Sequence, residues 1–221
     1  TIAKREYRLY FATPIAYMVA FIVLLILGFI FYVTIGAAMI QQFAPGVDVV
    51  LGPLVTLLLF STPAITMRLI AEEQRMGTIE LLLTAPIRDF ELVVGKWLGG
   101  FSFLITLVAL TWVFPIALNA LVEPGIDQGP LVTGYLGIVL ICSALVAIGV
   151  AISSFFSNQI AAFFTTLGVL LVLWLFGMPA RALGSAGANL LTYLDFSEHY
   201  YLNLARGILD LTDIIYYLSM T

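Results

Sequence analysis

Long apolar runs occupy most of this chain and restrict what it can fold into. Four of them, approximately Ile15–Ile40, Val49–Ile70, Phe90–Leu121 and Leu131–Phe156, are long enough to cross a hydrocarbon core of about 30 Å as helices. A fifth run, Ile160–Gly177, is shorter but sufficient. Hydrophobic residues make up 62% of the chain and charged residues 10%, which excludes an ordinary soluble domain. Because period-two alternation is absent, the sequence predicts an all-α polytopic membrane protein, a single transmembrane domain over residues 1–221.

The residues before the first run predict an interfacial helix, residues 1–13. Within Ile2–Thr13, Lys4, Arg5 and Arg8 share a face suited to anionic headgroups, and Pro14 marks the break into the first span. A simple basic flank that fixes topology is the alternative interpretation. The first run is too long for a signal-peptide core and lacks a small-residue cleavage pattern, so no cleavable leader is expected.

The segment after the fifth run predicts short helices at the outer face, residues 178–212. The stretch Met178–Asp213 is too polar for a spanning helix and too apolar for a solvated loop, which favours short re-entrant helices that either dip into the outer leaflet or pack on the bundle. Asp195, Glu198 and His199 are expected at the outer water interface. An aromatic belt there would include Tyr193, Tyr200 and Tyr201. The final run, Ile214–Thr221, ends after about two turns, so we expect a truncated sixth span: the chain is cut short there or ends in a stub.

Basic residues predict the orientation. Seven of the nine precede the first span or flank the second connection, whereas Gln41–Asp48 and Val122–Pro130 contain none. These seven are Lys4, Arg5, Arg8, Arg68, Arg75, Arg88 and Lys96. Because Lys and Arg are retained on the cytoplasmic side, the N-terminus and the connection Met67–Asp89 are predicted to be cytoplasmic, in a plasma (bacterial inner) membrane.

The connection Met67–Asp89 has helix signals of its own. Gly77 or Thr78 can cap, Glu80 falls in the first turn and Pro86 ends the run, while Asp89 is the expected N-cap of the third span. Ile79, Leu82 and Leu83 would share one side. An amphipathic stub of this kind predicts contact with something at the membrane face. A helix lying in headgroups is the alternative, although the mixture of acidic and basic residues is atypical of it.

The sequence offers no chemical machinery. No P-loop is present, since Gly95-Lys96 is followed by Trp97 rather than by Ser or Thr, and the one His and one Cys lack metal-site spacing. No ionisable residue falls near the middle of the five spans, which disfavours proton- or sodium-coupled transport. We therefore expect no enzymatic activity, no bound cofactor or metal and no nucleic-acid partner, with energy supplied from outside this polypeptide.

Several motifs together resemble the membrane-spanning permeases of type-2 ABC exporters, most closely the branch that includes the gliding-motility-associated permeases. The motifs run from one end of the chain to the other. They are Lys4-Arg5-Glu6-Tyr7, Pro14-Ile15-Ala16-Tyr17, Met67-Arg68-Leu69 with Glu72-Glu73, Gly77-Thr78-Ile79-Glu80-Leu81-Leu82-Leu83-Thr84-Ala85-Pro86, Gly95-Lys96, Gly134-Tyr135-Leu136-Gly137, Asn158-Gln159-Ile160, Leu204-Ala205-Arg206-Gly207, Asp210-Leu211, Asp213 and Tyr216-Tyr217.

The resemblance implies a half-transporter with six spans that pairs with a second permease, either an identical copy or a paralogue. Each permease would bind a cytoplasmic ABC ATPase that holds ATP and Mg. Residues 71–88 would form the coupling-helix loop, with the helix itself at Gly77–Ala85. The implied coupling residues are Glu72, Glu73, Arg75, Gly77, Thr78, Ile79, Glu80, Leu81, Leu82, Leu83, Thr84, Ala85 and Pro86. Membrane lipids would contact the apolar faces.

Two other classes of function remain open at this point. One is a channel or secondary carrier, which would transport without nucleotide. The other is a membrane scaffold that anchors a motility or envelope machine and moves no solute. The leading hypothesis is an ATP-driven exporter permease, and the sequence does not identify its substrate.

Overall fold

The computed structural model describes residues 2–77, 88–177 and 193–221. Ten α-helices and one 3₁₀ turn account for most of these residues. They are α1 (Ile2–Ala12), α2 (Pro14–Gln41), α3 (Asp48–Thr66), α4 (Ala71–Met76), α5 (Asp89–Leu110), α6 (Val113–Leu121), α7 (Gln128–Ser153), α8 (Gln159–Leu175), α9 (Phe196–Tyr201), the 3₁₀ turn Leu204–Arg206 and α10 (Leu211–Ser219). No strand occurs among the described residues, so the all-helical class predicted from the sequence is confirmed.

Helices α3 and α7 form the centre of the bundle. Leu51, Leu54 and Leu58 of α3 and Ile138 and Ile141 of α7 have no accessible surface. Lipid tails are as apolar as these side chains, so burial alone does not drive helices together in a membrane, and close packing must contribute. Gly149 of α7 allows that close packing, because a Cβ at this position would collide with Thr66 of α3.

Helix α2 lies at the periphery. Pro14 occupies its first turn, where the missing N–H costs nothing, and confirms the predicted break after the N-terminal helix. Phe21, Phe29 and Tyr32 are each more than 60% exposed. Such a large apolar surface on a 28-residue helix fits contact with lipid or with another membrane protein.

The structure supports several membrane spans but does not confirm the predicted five. Among residues 2–77, 88–177 and 193–221, four helical segments are long and apolar enough to cross a membrane: Pro14–Gln41, Asp48–Met76, Asp89–Leu121 and Gln128–Ser153. Helix α8, the predicted fifth span, has 17 residues, and at a rise of 1.5 Å per residue it is only about 25 Å long. The predicted sixth span is represented by α10, with nine residues. Five full spans and a truncated sixth therefore stay a prediction.

The predicted third span, Phe90–Leu121, is not one continuous helix. It divides at Thr111 and Trp112 into α5 and α6. Pro115 explains the break, because proline has no N–H to donate to the carbonyl of Thr111 four residues earlier, and its ring crowds that carbonyl. The Thr111 carbonyl accepts instead from the Phe114 N–H, at 3.0 Å, and the Thr111 hydroxyl donates to Val108 O, at 2.7 Å. At the other end of the span, Asp89 was predicted to be the N-cap of α5. It is instead the first helical residue, and Arg88 is the N-cap, so the helix begins one residue earlier than predicted.

The short helices after residue 193 pack across one end of the bundle, which we call the sealed end. Tyr201 donates its hydroxyl to Gly52 O of α3, at 3.1 Å, and Thr133 of α7 donates to Leu204 O, at 2.8 Å. The described part of 178–212 therefore contacts the bundle, while its place at the outer face of a membrane stays a prediction. The predicted position at the water interface is wrong for Asp195, which is 2% exposed, and Tyr200 of the expected aromatic belt is fully buried.

Candidate functional site

The end of the bundle opposite the sealed one brings together α1, α4 and the start of α5. We call it the basal end. Lys4, Arg5 and Arg8 are exposed there on α1, and their contact with headgroups stays a prediction. Between α3 and α4 the chain makes a four-residue turn, Met67–Ile70, before α4 continues to Met76.

A charge cluster, formed by buried Glu6 and Lys96 and mostly buried Glu73, with the exposed Arg5 at its edge, occupies the centre of the basal end. The Lys96 ammonium lies 2.8 Å from Glu73 Oε1 and 3.6 Å from Glu6 Oε1. Arg5 lies 3.2 Å from Glu6 and 3.7 Å from Glu73. Lys96 is 1% exposed. One buried cation thus joins α1, α4 and α5.

The composition of this cluster follows from the cost of burying charge. An ammonium removed from water is several kcal/mol less stable unless opposite charges and hydrogen bonds replace its hydration. Two carboxylates and the carbonyl of Leu69, which accepts a hydrogen bond from Lys96, provide that replacement. With Arg5 included, two cations face two anions, so the cluster is electrically balanced. Removing one member leaves an uncompensated charge.

The turn Met67–Ile70 is held by a second contact. The hydroxyl of Ser153, at the end of α7, accepts hydrogen bonds from the backbone N–H groups of Ile70, at 3.2 Å, and Ala71, at 3.1 Å. These are the N–H groups that a helix beginning at α4 cannot satisfy internally. Gln74 also donates its amide to Ser154 O, at 2.7 Å. Helix α4 is therefore fixed to α7 as well as to α5.

Helix α1 reaches the cluster because α5 carries two glycines on the facing side. A Cβ added at Gly95 would lie 2.8 Å from the side chain of Ile2, and one added at Gly99 would lie 2.5 Å from Glu6 Cβ. Such distances are closer than real Cβ contacts allow. The two helices are packed at a separation that only glycine permits, and this packing places Glu6 beside Lys96.

A groove of about 470 Å³ opens beside the cluster. Its walls combine balanced charges with apolar side chains: Arg5, Glu6, Leu9, Tyr10, Thr13, Arg68, Leu69, Glu72, Glu73, Met76 and Lys96. Arg68 forms an ion pair with Glu72, at 3.0 Å, and Tyr10 donates to Ile65 O, at 3.1 Å. Desolvation, with the Glu6 carboxylate adding to it, raises the pKa of Tyr10 above its usual range, so the phenol stays a neutral donor.

The predicted coupling residues divide between the described and undescribed parts of the chain. Glu72, Glu73 and Arg75 lie on α4, with Glu73 in the cluster and Arg75 exposed. Gly77 ends α4, with φ +69, a conformation that favours glycine. The remaining predicted residues, Thr78–Pro86, lie outside the described residues, and the coupling helix itself stays a prediction.

Sequence reasoning missed three residues of the basal end: Glu6, Lys96 and Ser153. Lys96 was read only as a topology marker, although a lysine eight positions into an apolar helix demands a partner and was itself a signal. Glu6 was hidden within a basic segment. No local signal identifies Ser153 as the hydrogen-bond partner of a turn more than 80 residues away.

The basal end is built to hold helices together. Among residues 2–77, 88–177 and 193–221, no group of three His, Cys, Asp or Glu side chains is arranged to bind a metal ion. What the described geometry can do is keep α1, α4 and α5 in fixed relation when force is applied at residue 77.

A family model described as ABC-2 family transporter protein matches residues 38–221. No curated protein and no solved structure matches the chain.

Proposed function

The chain belongs to the ABC-2 transporter family, and on that premise we propose that it is the membrane-spanning permease subunit of an ATP-driven exporter. The family consists of membrane components of ABC transporters and implies a partner ABC ATPase. In our proposal that ATPase is a separate cytoplasmic subunit, which binds ATP and Mg and performs the hydrolysis. The permease converts the closure of the ATPase into movement of its helices.

The observation that carries the proposal is the fixed position of α4, immediately before residues 78–86 in the sequence. Helix α4 leads into that segment and is attached to α5 through Lys96 and to α7 through Ser153. A short helix that presses on an ATPase transmits movement only when its support does not yield. Both attachments lie within the turn and α4, immediately before Gly77, which is where that support is needed.

The proposal also assigns an orientation and a second subunit. The basal end, with exposed Lys4, Arg5 and Arg8, faces the cytoplasm, because basic residues are retained on that side of a plasma membrane. A second permease, identical or paralogous, pairs with this one, and the substrate moves between the two bundles. The apolar face of α2, with Phe21 and Phe29, contacts lipid or that second permease.

The test is a double substitution in the coupling segment, Leu82→Asp with Leu83→Asp. We expect the permease to insert normally and the partner ATPase to lose the change in ATP turnover that the permease produces, because two carboxylates replace the apolar contact. The measurements are membrane insertion, co-purification of the ATPase in mild detergent and ATP turnover of the complex.

The matched control is Ile208→Asp with Leu209→Asp, two residues that are each 54% exposed near the sealed end. This control should leave ATP turnover unchanged. Normal transport and turnover by the Leu82/Leu83 variant would contradict the proposal. If the ATPase binds but no transported compound alters its turnover, the scaffold interpretation would replace the exporter.

A further inference from the structure

We propose that Lys96 is a positioning residue that makes α1, α4 and the base of α5 move as one rigid unit when the partner ATPase acts. The inference rests on the proposed function and adds a specific transmission element to it. It also assigns a role to α1 beyond contact with headgroups: α1 is part of the moving unit.

Each contact of Lys96 joins a different part of the chain. Glu6 belongs to α1, Glu73 belongs to α4, Leu69 belongs to the turn, and Lys96 itself belongs to α5. Helices α1 and α4 are about 65 residues apart in sequence. Their contact through the cluster depends on this one ammonium and on the outer contact from Arg5 to Glu73, at 3.7 Å.

Lys96 cannot exchange its hydrogen-bonding partners for water. Lys96 is 1% exposed and Glu6 is 7% exposed. A surface ion pair opens and closes at little cost, typically below about 1 kcal/mol, and would transmit little force. A buried pair has no solvated alternative, so separating α1 from α4 would leave charges unsolvated. The connection therefore behaves as a stiff joint.

Helix packing alone would not make α1, α4 and the base of α5 a rigid unit. The glycine contacts at Gly95 and Gly99 fix α1 to α5, and Ser153 fixes the turn to α7. Neither contact joins α1 to α4. Without Lys96, only the exposed Arg5, 3.7 Å from Glu73, would still join α1 to α4 through the cluster, and most of the movement delivered to α4 would pass to α7 through Ser153.

The experiment follows distances between spin labels in the permease–ATPase complex. In a Cys142→Ala background, labels are placed at Ala12 on α1, Met76 at the end of α4 and Ile40, which is 85% exposed near the end of α2. We expect the distance from Ala12 to Met76 to stay constant when ATP and vanadate are added. The distance from each of these two positions to Ile40 should shift.

The informative variant removes both charges of the closest pair, Lys96→Met with Glu73→Gln. Arg5 and Glu6 then balance each other, so the unfolding temperature should recover relative to Lys96→Met alone, which leaves two carboxylates facing one cation. A purely structural role predicts that the coupling returns with stability. The positioning role predicts instead that the Ala12–Met76 distance now changes with nucleotide, and that the effect of the permease on ATP turnover is lost.

The control removes a buried hydrogen-bonded pair at the sealed end, His199→Gln with Asp213→Asn, whose Nδ1 and Oδ1 atoms lie 2.7 Å apart. It should leave the nucleotide response of all three distances unchanged. An Ala12–Met76 distance that stays constant in the Lys96/Glu73 double variant would overturn the inference. Failure of the native permease to bind any ATPase would instead refute the proposed function, which the co-purification step detects separately.

Discussion

Substituting Gly149 by alanine tests the packing of α7 on α3, the contact at the centre of the bundle. A Cβ at this position would lie 2.3 Å from the Thr66 hydroxyl oxygen, 2.7 Å from Thr66 Cβ and 2.8 Å from Thr66 Cγ2. Thr66 is fully buried, and its hydroxyl donates to Thr62 O, at 3.0 Å. The threonine cannot rotate away from all three contacts, because its Cβ is fixed by the backbone. The two helices must separate locally.

The expected cost follows from overpacking a close-packed interior. Extra methyl groups in such sites typically cost about 1 to 3 kcal/mol. For a chain of this size, each kcal/mol lowers the midpoint of thermal unfolding by about 2 to 4 °C. We therefore expect Gly149→Ala to unfold about 2 to 12 °C below the native chain in the same detergent.

The chain carries its own probe for this measurement. Cys142 is the only cysteine, it lies on α7 and it has no accessible surface. A thiol-reactive fluorescent maleimide should label it only as the bundle opens, so the labelling midpoint on heating reports the unfolding of the helix that the substitution perturbs.

The matched control is Gly168→Ala on α8, where an added Cβ would meet nothing within 4 Å. Alanine favours the helix by roughly 0.5 to 1 kcal/mol over glycine, so this variant should be at least as stable as the native chain. Equal midpoints for the two alanine variants would refute the close approach of α3 and α7. Partial recovery of stability in Gly149→Ala with Thr66→Gly would support it.

Two further predictions concern single hydrogen-bonding groups. Ser153→Ala removes the acceptor for the N–H groups of Ile70 and Ala71; it should cost about 1 to 3 kcal/mol and accelerate amide exchange at those two positions, and unchanged exchange would show that the turn does not need the hydroxyl. Hydrogen bonds from Thr212 lower the pKa of Asp210, the N-cap of α10, so its contribution to stability is present above the carboxyl's ordinary pKa and is lost as pH falls through the lowered value. Asp210→Asn should therefore weaken the dependence of α10 helicity on acid pH, measured by amide exchange, and an unaltered profile would contradict the assignment.

The structural features that depend on a few neighbouring residues were predictable from the sequence. Pro14 placed the start of α2, and the apolar runs located the long helices, because a membrane accepts only long apolar helices with internally paired backbones. The same rule located the third span, but the division of its helix at Thr111 and Trp112 was not predicted, because it depends on the Thr111 carbonyl that Pro115 leaves without its usual N–H donor. The short helices near Tyr200 were predicted as a class, yet their burial was not, because a tyrosine at a membrane interface and one inside a bundle have the same sequence signal.

By its composition alone, the chain is a helical membrane protein whose basic residues gather on one side; the energetics of lipid and of charge require this, whatever the helices contact. Tertiary structure alone decided that Lys96 lies between Glu6 and Glu73, and that Gly149 faces Thr66. These contacts join residues far apart in sequence, and their energies depend on distances of a few tenths of an ångström. No local pattern encodes that geometry, because it exists only once the helices have packed.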